Sequence, residues 1–234
     1  MFVKSYALRY SDIAYDGTLK TTAVLDLLQD ISISHADSVG LDAKTLHACS
    51  VACLLASWRV QLMENFDVNM PIEVETGLME VGKCEAFRKY IMRQGGVIKS
   101  IATAVWFTVN TETMRIARVA DELFTAFDCV DEEDNGLLSV RLKPEKDLEP
   151  LKETVVAVHD LDTNRHMNNV KSVEYALDCL PADIEIRELQ VKYRKELKAG
   201  DTICICGKRT DTGFVAEVQN EQDESCVLVH ILAK

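Results

Sequence analysis

The sequence has little glycine and proline, with 10 glycines and 4 prolines among 234 residues. Together they make up about 6% of the chain, roughly half their usual combined share. We therefore expect long regular elements joined by short connections. With 47% apolar and 27% charged residues, the composition is typical of a folded globular protein and not of a disordered one. The length fits one large domain or two small ones, with room for a sizeable core.

Positive charge and long apolar segments are scarce as well. The chain has 26 Lys and Arg against 38 Asp and Glu, a net charge of −12, which disfavours a nucleic-acid binder because such a protein needs a basic surface. The N-terminal residues include no apolar core of signal-peptide length. The longest apolar stretches, 51–56 and 101–107, are too short for a membrane span. We expect a cytoplasmic protein.

The cysteines lack the spacing of a metal site. No C-x-x-C pair occurs, and no Cys and His residues cluster at the short spacing that zinc requires. We interpret the cysteines as small buried hydrophobic residues. The two cysteines of the C-x-C pair, Cys204 and Cys206, are expected on one face of a strand. We expect neither a metal nor a cofactor. The eight cysteines are Cys49, Cys53, Cys84, Cys129, Cys179, Cys204, Cys206 and Cys226.

Two helical patterns divide the chain into halves of similar order. Apolar residues at helical spacing predict one helix over 22–39 and another over 168–180, where Pro181 ends it. Strand-like runs follow each helix. The predicted strands are 50–63, 72–81, 86–93 and 97–109 in the first half, and 187–197, 202–208, 214–220 and 225–232 in the second.

The halves correspond to each other at an offset of 148 positions. Residues 11–13 then meet 159–161, and both halves read strand, loop, helix and strands. The identity is faint, but the shared order of elements makes a duplication the better interpretation. A helix followed by antiparallel strands predicts the α+β class, with a long helix wrapped by an antiparallel sheet. The predicted organisation is a domain over 1–130, a polar linker over 131–153 that contains Pro144 and Pro150, and a domain over 154–234.

The densest polar cluster, HDLDTNRHMNN at 159–169, lies between a strand and the second helix. Asp162, Asn164 and His166 alternate in it, so an extended loop would project all three to one side. An acid, an amide and an imidazole can orient a water molecule, donate to an oxyanion and transfer a proton.

A structural interpretation also fits part of this cluster. Asp160 and Asp162 would be turn residues, and Asn168 or Asn169 would cap the helix, but His166 stays unexplained. The first half favours the catalytic interpretation, because it keeps the scaffold and lacks the three residues. The corresponding positions there hold Ala14, Asp16 and Thr18.

These residues resemble a known family. DLDTNRHMNNVKSVEY, at 160–175, is similar to the D-x-N-x-H-V-N-N-x-x-Y signature of acyl-acyl-carrier-protein thioesterases, with Met167 for Val and one extra residue before Tyr175. LLQDISISHADSVG, at 27–40, resembles the LLQE…NHA…G helix of that family. WRV at 58–60 and YRKEL at 193–197 resemble its W-x-V and Y-R-R-E-C strands. The similarity covers nearly the whole chain in the family's order.

The resemblance implies two tandem hotdog domains, with the acyl-chain pocket in the first and the active site in the second. It implies catalytic roles for Asp162, Asn164, His166 and Glu196 in hydrolysis of fatty acyl-acyl carrier protein to free fatty acid. Many family members have Cys after the Glu, whereas this chain has Leu197. A Cys nucleophile is therefore excluded at this position, and activated water or a transient carboxylate nucleophile remains open.

The position of Glu196 conflicts with a regular strand. Apolar residues at 189, 191 and 193 alternate with polar ones, which puts Glu196 on the polar face as a surface acid. A bend or bulge after Tyr193 would redirect it towards the active site.

Five positive charges near Glu196 suggest where an acidic carrier protein would dock. They outnumber the two negative charges of the segment, Glu188 and Glu196, and so form a local basic patch in an acidic chain. The alternative interpretation of these charges is that they protect an edge strand from pairing with another chain. The patch consists of Arg187, Lys192, Arg194, Lys195 and Lys198.

Other functions stay open on the sequence. An acyl-CoA thioesterase of the same fold is the nearest enzymatic alternative, and a non-catalytic acyl-chain binding module is the alternative from another class. The intact Asp162, Asn164 and His166 set argues against the second. We expect either a monomer, since two hotdogs in one chain satisfy the pairing, or a homodimer.

Overall fold

The computed structural model describes residues 1–81, 85–113, 115–116, 127 and 140–234. The chain forms two compact units. The first comprises Met1–Ala56 and Leu62–Ser139, and the second comprises Ser57–Gln61 and Val140–Lys234. The change of unit at residue 140 falls inside the predicted linker, but the sequence does not predict that residues 57–61 belong with the second half.

The first unit packs one long helix against antiparallel strands. Strand β1 (Phe2–Tyr6) pairs with β3 (Ile72–Val81), which pairs with β4 (Glu85–Gln94), which pairs with β5 (Val97–Asn110). Helix α1 (Thr21–Ser38) buries Leu25, Leu28 and Ile31, and its Ser32 hydroxyl hydrogen-bonds the Tyr90 hydroxyl of β4 at 2.7 Å. A short helix, α2 (Ala43–Ala48), follows, and then β2 (Val51–Leu62).

The second unit repeats this plan. Its elements in chain order are β6 (Glu149–Val155), α3 (Asn169–Leu177), β7 (Ile186–Tyr193), β8 (Thr202–Thr210), β9 (Gly213–Asn220) and β10 (Ser225–Ala233). The antiparallel order is β2, β7, β10, β9, β8 and β6, where Ser57–Gln61 is the part of β2 that pairs with β7. Val170, Val173 and Ala176 form the buried side of α3.

Two expectations about the second half, and one alternative interpretation, are wrong. Residues 149–153 are not a linker, because they belong to β6 and pair with β8. The prediction failed because this outer strand is mostly exposed and contains Pro150, which gives it the composition of a loop. Strand β7 ends at Tyr193 and not at residue 197. It is also not an edge strand, since it pairs on both sides, with β2 and with β10.

The loops before the two long helices confirm the offset of 148 bond for bond. A 3₁₀ turn occupies Tyr10–Asp12 in one and Val158–Asp160 in the other. The backbone N–H of Lys20 donates to the Asp12 carbonyl at 2.9 Å, and that of Asn168 donates to the Asp160 carbonyl at 2.8 Å. A duplicated unit therefore explains the similar order of the halves.

The cysteine prediction is confirmed in part. The Sγ atoms of Cys204 and Cys206 lie 3.5 Å apart on one face of β8, and Cys206 and Cys226 are buried. Cys49 and Cys53 are exposed, so burial is wrong for those two, whereas Cys84 and Cys129 lie outside the described residues. Among the described residues, no helix combines the length and apolar character that crossing a membrane requires.

Candidate active site

The loop between the second 3₁₀ turn and α3 carries three of the four predicted catalytic residues. Its backbone closes on itself, because the N–H of Asp162 donates to the His166 carbonyl at 2.8 Å and the N–H of Arg165 donates to the Asp162 carbonyl at 3.1 Å. Arg165 takes a left-handed conformation with φ of 64° to complete the turn. The side chain of Asn164 is exposed, and those of Asp162 and His166 are half-buried.

The Asp162 carboxylate shapes this loop from within. Its Oδ1 accepts the backbone N–H of Asn164 at 2.8 Å and that of His166 at 3.1 Å. Its Oδ2 lies 3.5 Å from Asn164 Nδ2. Asp162 is thus the turn residue of the structural interpretation, and the turn it forms presents the amide and the imidazole.

Glu196 meets His166 directly. Oε2 of Glu196 lies 3.2 Å from Nε2 of His166, with the side chains 41% and 26% exposed, respectively. The backbone produces this approach, because the N–H of Met167 donates to the carbonyl of Leu197 at 2.7 Å. The loop and the segment after β7 are therefore tied together one residue beyond each member of the pair.

The irregularity that redirects Glu196 lies directly after β7. The N–H groups of Arg194 and Lys195 both donate to the Cys226 carbonyl, at 2.8 and 3.3 Å. Two residues facing one on the opposite strand form a β-bulge, which bends the chain. Glu196 therefore leaves the alternation of β7, and the bend anticipated after Tyr193 is present.

Helix α3 begins beside this pair. The Asn168 side chain accepts the N–H of Val170 at 2.8 Å, so Asn168 is the N-cap. The hydroxyl of the half-buried Tyr193 donates to the Asn169 carbonyl at 3.2 Å, and desolvation raises the pKa of Tyr193, so the hydroxyl stays a donor. The start of the helix is thereby held to the end of β7.

Sequence reasoning missed the contact between Asp160 and Tyr175. The Asp160 carboxylate is 2% exposed, and its Oδ2 accepts the Ala157 N–H at 2.9 Å and the Tyr175 hydroxyl at 3.0 Å. Burial and the hydrogen bond to Asp160 raise the pKa of Tyr175. The only signal in the sequence was that both residues belong to the string that resembles the family signature.

The corresponding loop of the first unit has the same frame and different chemistry. Asp16 Oδ1 accepts the N–H and the hydroxyl of Thr18, at 3.0 and 2.7 Å. Ala14 replaces the carboxylate of Asp162, and Thr18 replaces the imidazole of His166. This loop therefore has no proton-transfer group at the position of His166.

The structure separates the predicted docking residues. Arg194, Lys195 and Lys198 are exposed and flank Glu196, and Lys195 forms an ion pair with Glu224 that contributes to the lowered pKa of that carboxyl. Lys192 is half-buried, and its Nζ lies 3.4 Å from the Leu142 carbonyl oxygen. Arg187 lies at the opposite end of β7, about 17 Å from Lys192 at the usual rise per residue.

The remaining chemistry at the site is limited. Leu197 is buried, at 3% exposure, and its hydrocarbon side chain has no nucleophilic atom. Among the described residues, no group of three or more His, Cys, Asp or Glu converges to hold a metal ion. What the site offers is an imidazole next to a carboxylate, an exposed amide, and the N-terminus of a helix, which together suit hydrolysis of an activated acyl group.

Comparisons with known proteins identify the family of the chain. Residues 1–127 match the acyl-ACP thioesterase N-terminal domain, and residues 144–233 match the acyl-ACP thioesterase C-terminal domain. An acyl-[acyl-carrier-protein] hydrolase of Cuphea viscosissima is 26% identical over 216 residues, which cover 84% of this chain and 52% of the relative. An oleoyl-acyl carrier protein thioesterase of Arabidopsis thaliana is 24% identical over 227 residues, covering 86% of this chain and 62% of the relative.

A solved structure shows the same fold. The acyl-ACP thioesterase of Bacteroides thetaiotaomicron superimposes with a TM-score of 0.91 at 20% identity, over 100% of this chain and 97% of that one. The chain spans about half to three-fifths of the length of the two plant relatives. With both family domains matched in order, and with the α+β double hotdog architecture confirmed, the chain belongs to the acyl-ACP thioesterase family.

Proposed function

We propose that the protein hydrolyses the thioester of a fatty acyl chain on acyl carrier protein, releasing free fatty acid and ending chain elongation. The observation that carries this proposal is the 3.2 Å contact between His166 and Glu196. Asn164 lies on the same loop as His166. The two plant relatives are named for the same reaction on acyl carrier protein substrates.

The chemistry follows from the groups at hand. His166, next to Glu196, accepts a proton from a water molecule as its oxygen attacks the thioester carbonyl carbon. The Asn164 amide and a backbone N–H at the start of α3 stabilise the negative charge on the carbonyl oxygen. The C–S bond then breaks, and the imidazolium returns the proton to the thiolate of the phosphopantetheine arm. A thioester is an activated acyl donor, so no metal or cofactor has to take part.

Asp162 acts on this reaction through the loop. Its carboxylate accepts two backbone N–H groups and so fixes where Asn164 and His166 point. A carboxylate attack by Glu196 instead of water would form a transient anhydride at the same site. Incorporation of ¹⁸O from labelled water into the product under single-turnover conditions separates the two routes, since an anhydride can leave the label on Glu196.

The docking surface proposed for the carrier protein is narrower than the sequence suggests. Arg194, Lys195 and Lys198 are exposed within two residues of Glu196, which suits docking of a phosphopantetheine arm to the active site. Arg187 is too far along β7 to take part, and Lys192 contributes charge from a half-buried position.

The first unit is proposed to hold the acyl chain. In support, it keeps the helix-on-sheet core, with Leu25, Leu28 and Ile31 of α1 buried, while its loop lacks the imidazole. A cytoplasmic location is proposed from the sequence, whereas the plant relatives are named chloroplastic. Monomer and homodimer are distinguished by light scattering on the purified chain.

A panel of saturated acyl thioesters of increasing length tests the function. Each chain is offered on acyl carrier protein, on CoA and on pantetheine, and both the free thiol and the free fatty acid are measured. We expect turnover with the carrier-protein substrates, lost in His166→Ala. Equal turnover on CoA would reassign the substrate to acyl-CoA, and binding of acyl carrier protein without thiol release would indicate a binding module.

A further inference from the structure

Asp160 and Tyr175 lie beside the active site without touching the reacting groups. We propose that they form a positioning pair, which holds the loop of His166 onto helix α3 so that the imidazole stays in contact with Glu196. This inference rests on the proposed function and assigns it two further residues.

Asp160 is where the loop begins. Its backbone carbonyl accepts the N–H of Asn168, where the loop ends and α3 starts, at 2.8 Å. Its carboxylate accepts the Ala157 N–H at 2.9 Å, which fixes the 3₁₀ turn before the loop. A single buried residue therefore joins both ends of the loop, and Asp162 follows two positions later.

Tyr175 extends this junction to the body of the helix. Its hydroxyl donates to Asp160 Oδ2 at 3.0 Å from a position well inside α3. The ammonium group of Lys152 lies over the phenol ring, with Nζ 5.3 Å from the ring centroid, and pairs with Asp178 at 3.0 Å. A hydrogen bond from a neutral hydroxyl to a buried carboxylate is among the stronger ones in proteins.

The duplicated loop provides a comparison within the same chain. Asp12, the counterpart of Asp160, also accepts a backbone N–H three residues before it, from Arg9 at 2.7 Å. Its side-chain partner is the Arg9 guanidinium, with Nη2 2.9 Å from Oδ1. The position that corresponds to Tyr175 is Leu27, which has no hydroxyl. The first loop is thus held by its own neighbour, whereas the loop with the imidazole is held by the helix.

The loop of the second unit needs this additional anchor because of the geometry of His166 and Glu196. The contact between His166 and Glu196 is 3.2 Å, and both side chains are partly solvated, so their own interaction is too weak to hold the loop. A shift of about 1 Å at a reacting group costs up to 10²-fold in rate. The anchor at Asp160 lies six residues before His166, and the bond between Met167 and Leu197 lies one residue after it, so the imidazole is held from both sides.

The experiment compares Tyr175→Phe with Arg9→Ala in the full chain. Each substitution removes a side-chain hydrogen-bond donor from one of the two equivalent aspartates: Tyr175→Phe from Asp160, which keeps the His159 imidazole 3.6 Å from its Oδ1, and Arg9→Ala from Asp12. Steady-state kinetics on an acyl-acyl carrier protein substrate and thermal unfolding are measured for both. We expect Tyr175→Phe to lower kcat about 10-fold with KM within about 2-fold, and Arg9→Ala to leave both within about 2-fold.

A second measurement separates positioning from a general loss of structure. Tyr175→Phe is combined with Glu196→Gln, and the effect of Tyr175→Phe on kcat is compared in the two backgrounds. If Tyr175 acts by keeping His166 against Glu196, its removal should change kcat less than 2-fold once Glu196 is neutral. A 10-fold loss in both backgrounds, an equal loss in Arg9→Ala, or full activity of Tyr175→Phe would each overturn the positioning pair. A wild-type chain that releases no thiol from any thioester would instead refute the proposed function, and the positioning role with it.

Discussion

The imidazole of His166 lies 3.2 Å from the carboxylate of Glu196, although 30 positions separate the two residues in the chain. The bond between them is not what joins the two segments. The N–H of Met167 and the carbonyl of Leu197 meet at 2.7 Å, so the main chain fixes the approach. Because a backbone bond is retained when side chains change, His166 and Glu196 can be replaced without separating the segments.

The first prediction is that loss of activity is confined to the second loop. His166→Ala, Asp162→Ala and Glu196→Ala should each lower kcat at least about 100-fold, the scale of a lost general base for His166 and Glu196 and of misplaced reacting groups for Asp162. Asp16→Ala and Thr18→Ala change the matching positions of the first loop and should leave kcat within a few-fold. Comparable losses from both loops would mean that both units are catalytic.

The sequence predicts most of the fold, because its elements are long and regularly patterned. The strands at 72–81, 86–93 and 97–109 and both predicted helices are confirmed to within three residues at each end. Helix α2 was missed, since it has six residues and none of them is buried. Strand β6 was missed in part, because an exposed outer strand with Pro150 has the composition of a loop.

The site was predictable as a set of residues but not as a geometry. The alternation of Asp162, Asn164 and His166 is visible in the sequence, whereas the meeting of His166 and Glu196 depends on a bulge opposite Cys226. The pairing that creates this bulge is long-range, so the local pattern after Tyr193 carries no sign of its partner. Asp160 and Tyr175 were missed for the same reason: a turn residue and a helix residue reveal nothing of a contact 15 positions apart.

The second prediction concerns the thiols. Burial and the neighbouring Cys204 raise the pKa of Cys206 to about 12, and burial raises the pKa of Cys179, so neither supplies thiolate near neutral pH. Cys206→Ala and Cys179→Ala should lower the melting temperature by a few degrees and preserve turnover. Stoichiometric inactivation by iodoacetamide, prevented by substrate and abolished in one of these variants, would instead identify a cysteine nucleophile.

The third prediction is an acid-dependent stability that comes from Glu188. Burial opposes ionisation of this carboxyl, but hydrogen bonds from Arg59, Gln61 and Gln190 outweigh it, so the pKa of Glu188 is lowered in the folded chain. A lowered pKa gives stability that is present above the unfolded value of about 4.3 and is lost as the pH falls through the folded value.

Glu188→Gln should therefore flatten the fall in melting temperature between about pH 5 and pH 3. It should also destabilise the fold by about 2 kcal/mol at pH 7, because the cation of Arg59 loses its buried partner. Thermal unfolding across this pH range measures both effects. Glu64→Gln, at the exposed ion pair with Lys99, is the matched control and should change the stability by less than about 0.5 kcal/mol. Parallel pH profiles for wild type and Glu188→Gln would contradict the assignment.

The last prediction concerns the carrier protein and depends on a competition between charges. The chain as a whole carries −12, which repels an acidic partner, whereas Arg194, Lys195 and Lys198 attract it beside Glu196. We expect the local attraction to dominate the encounter, so kcat/KM should fall as salt rises from about 0.05 to 0.5 M, since the Debye length shrinks from about 14 to 4 Å. A rise of kcat/KM with salt would show that the net charge dominates and would contradict docking at this patch.

Charge reversal at the patch identifies the surface responsible. Arg194→Glu combined with Lys198→Glu should raise KM at least about 10-fold for the carrier-protein substrate and leave a pantetheine thioester of the same acyl chain nearly unchanged, because no protein surface docks with the small substrate. Arg187→Glu reverses one charge at the far end of β7, half the change in net charge of the double variant, and should leave KM within about 2-fold. An equal rise in KM from Arg187→Glu would show that only the overall charge matters. Unchanged KM in the double variant would remove the patch from docking while leaving hydrolysis assigned to His166 and Glu196, because the pantetheine substrate tests the reacting groups without a docking surface.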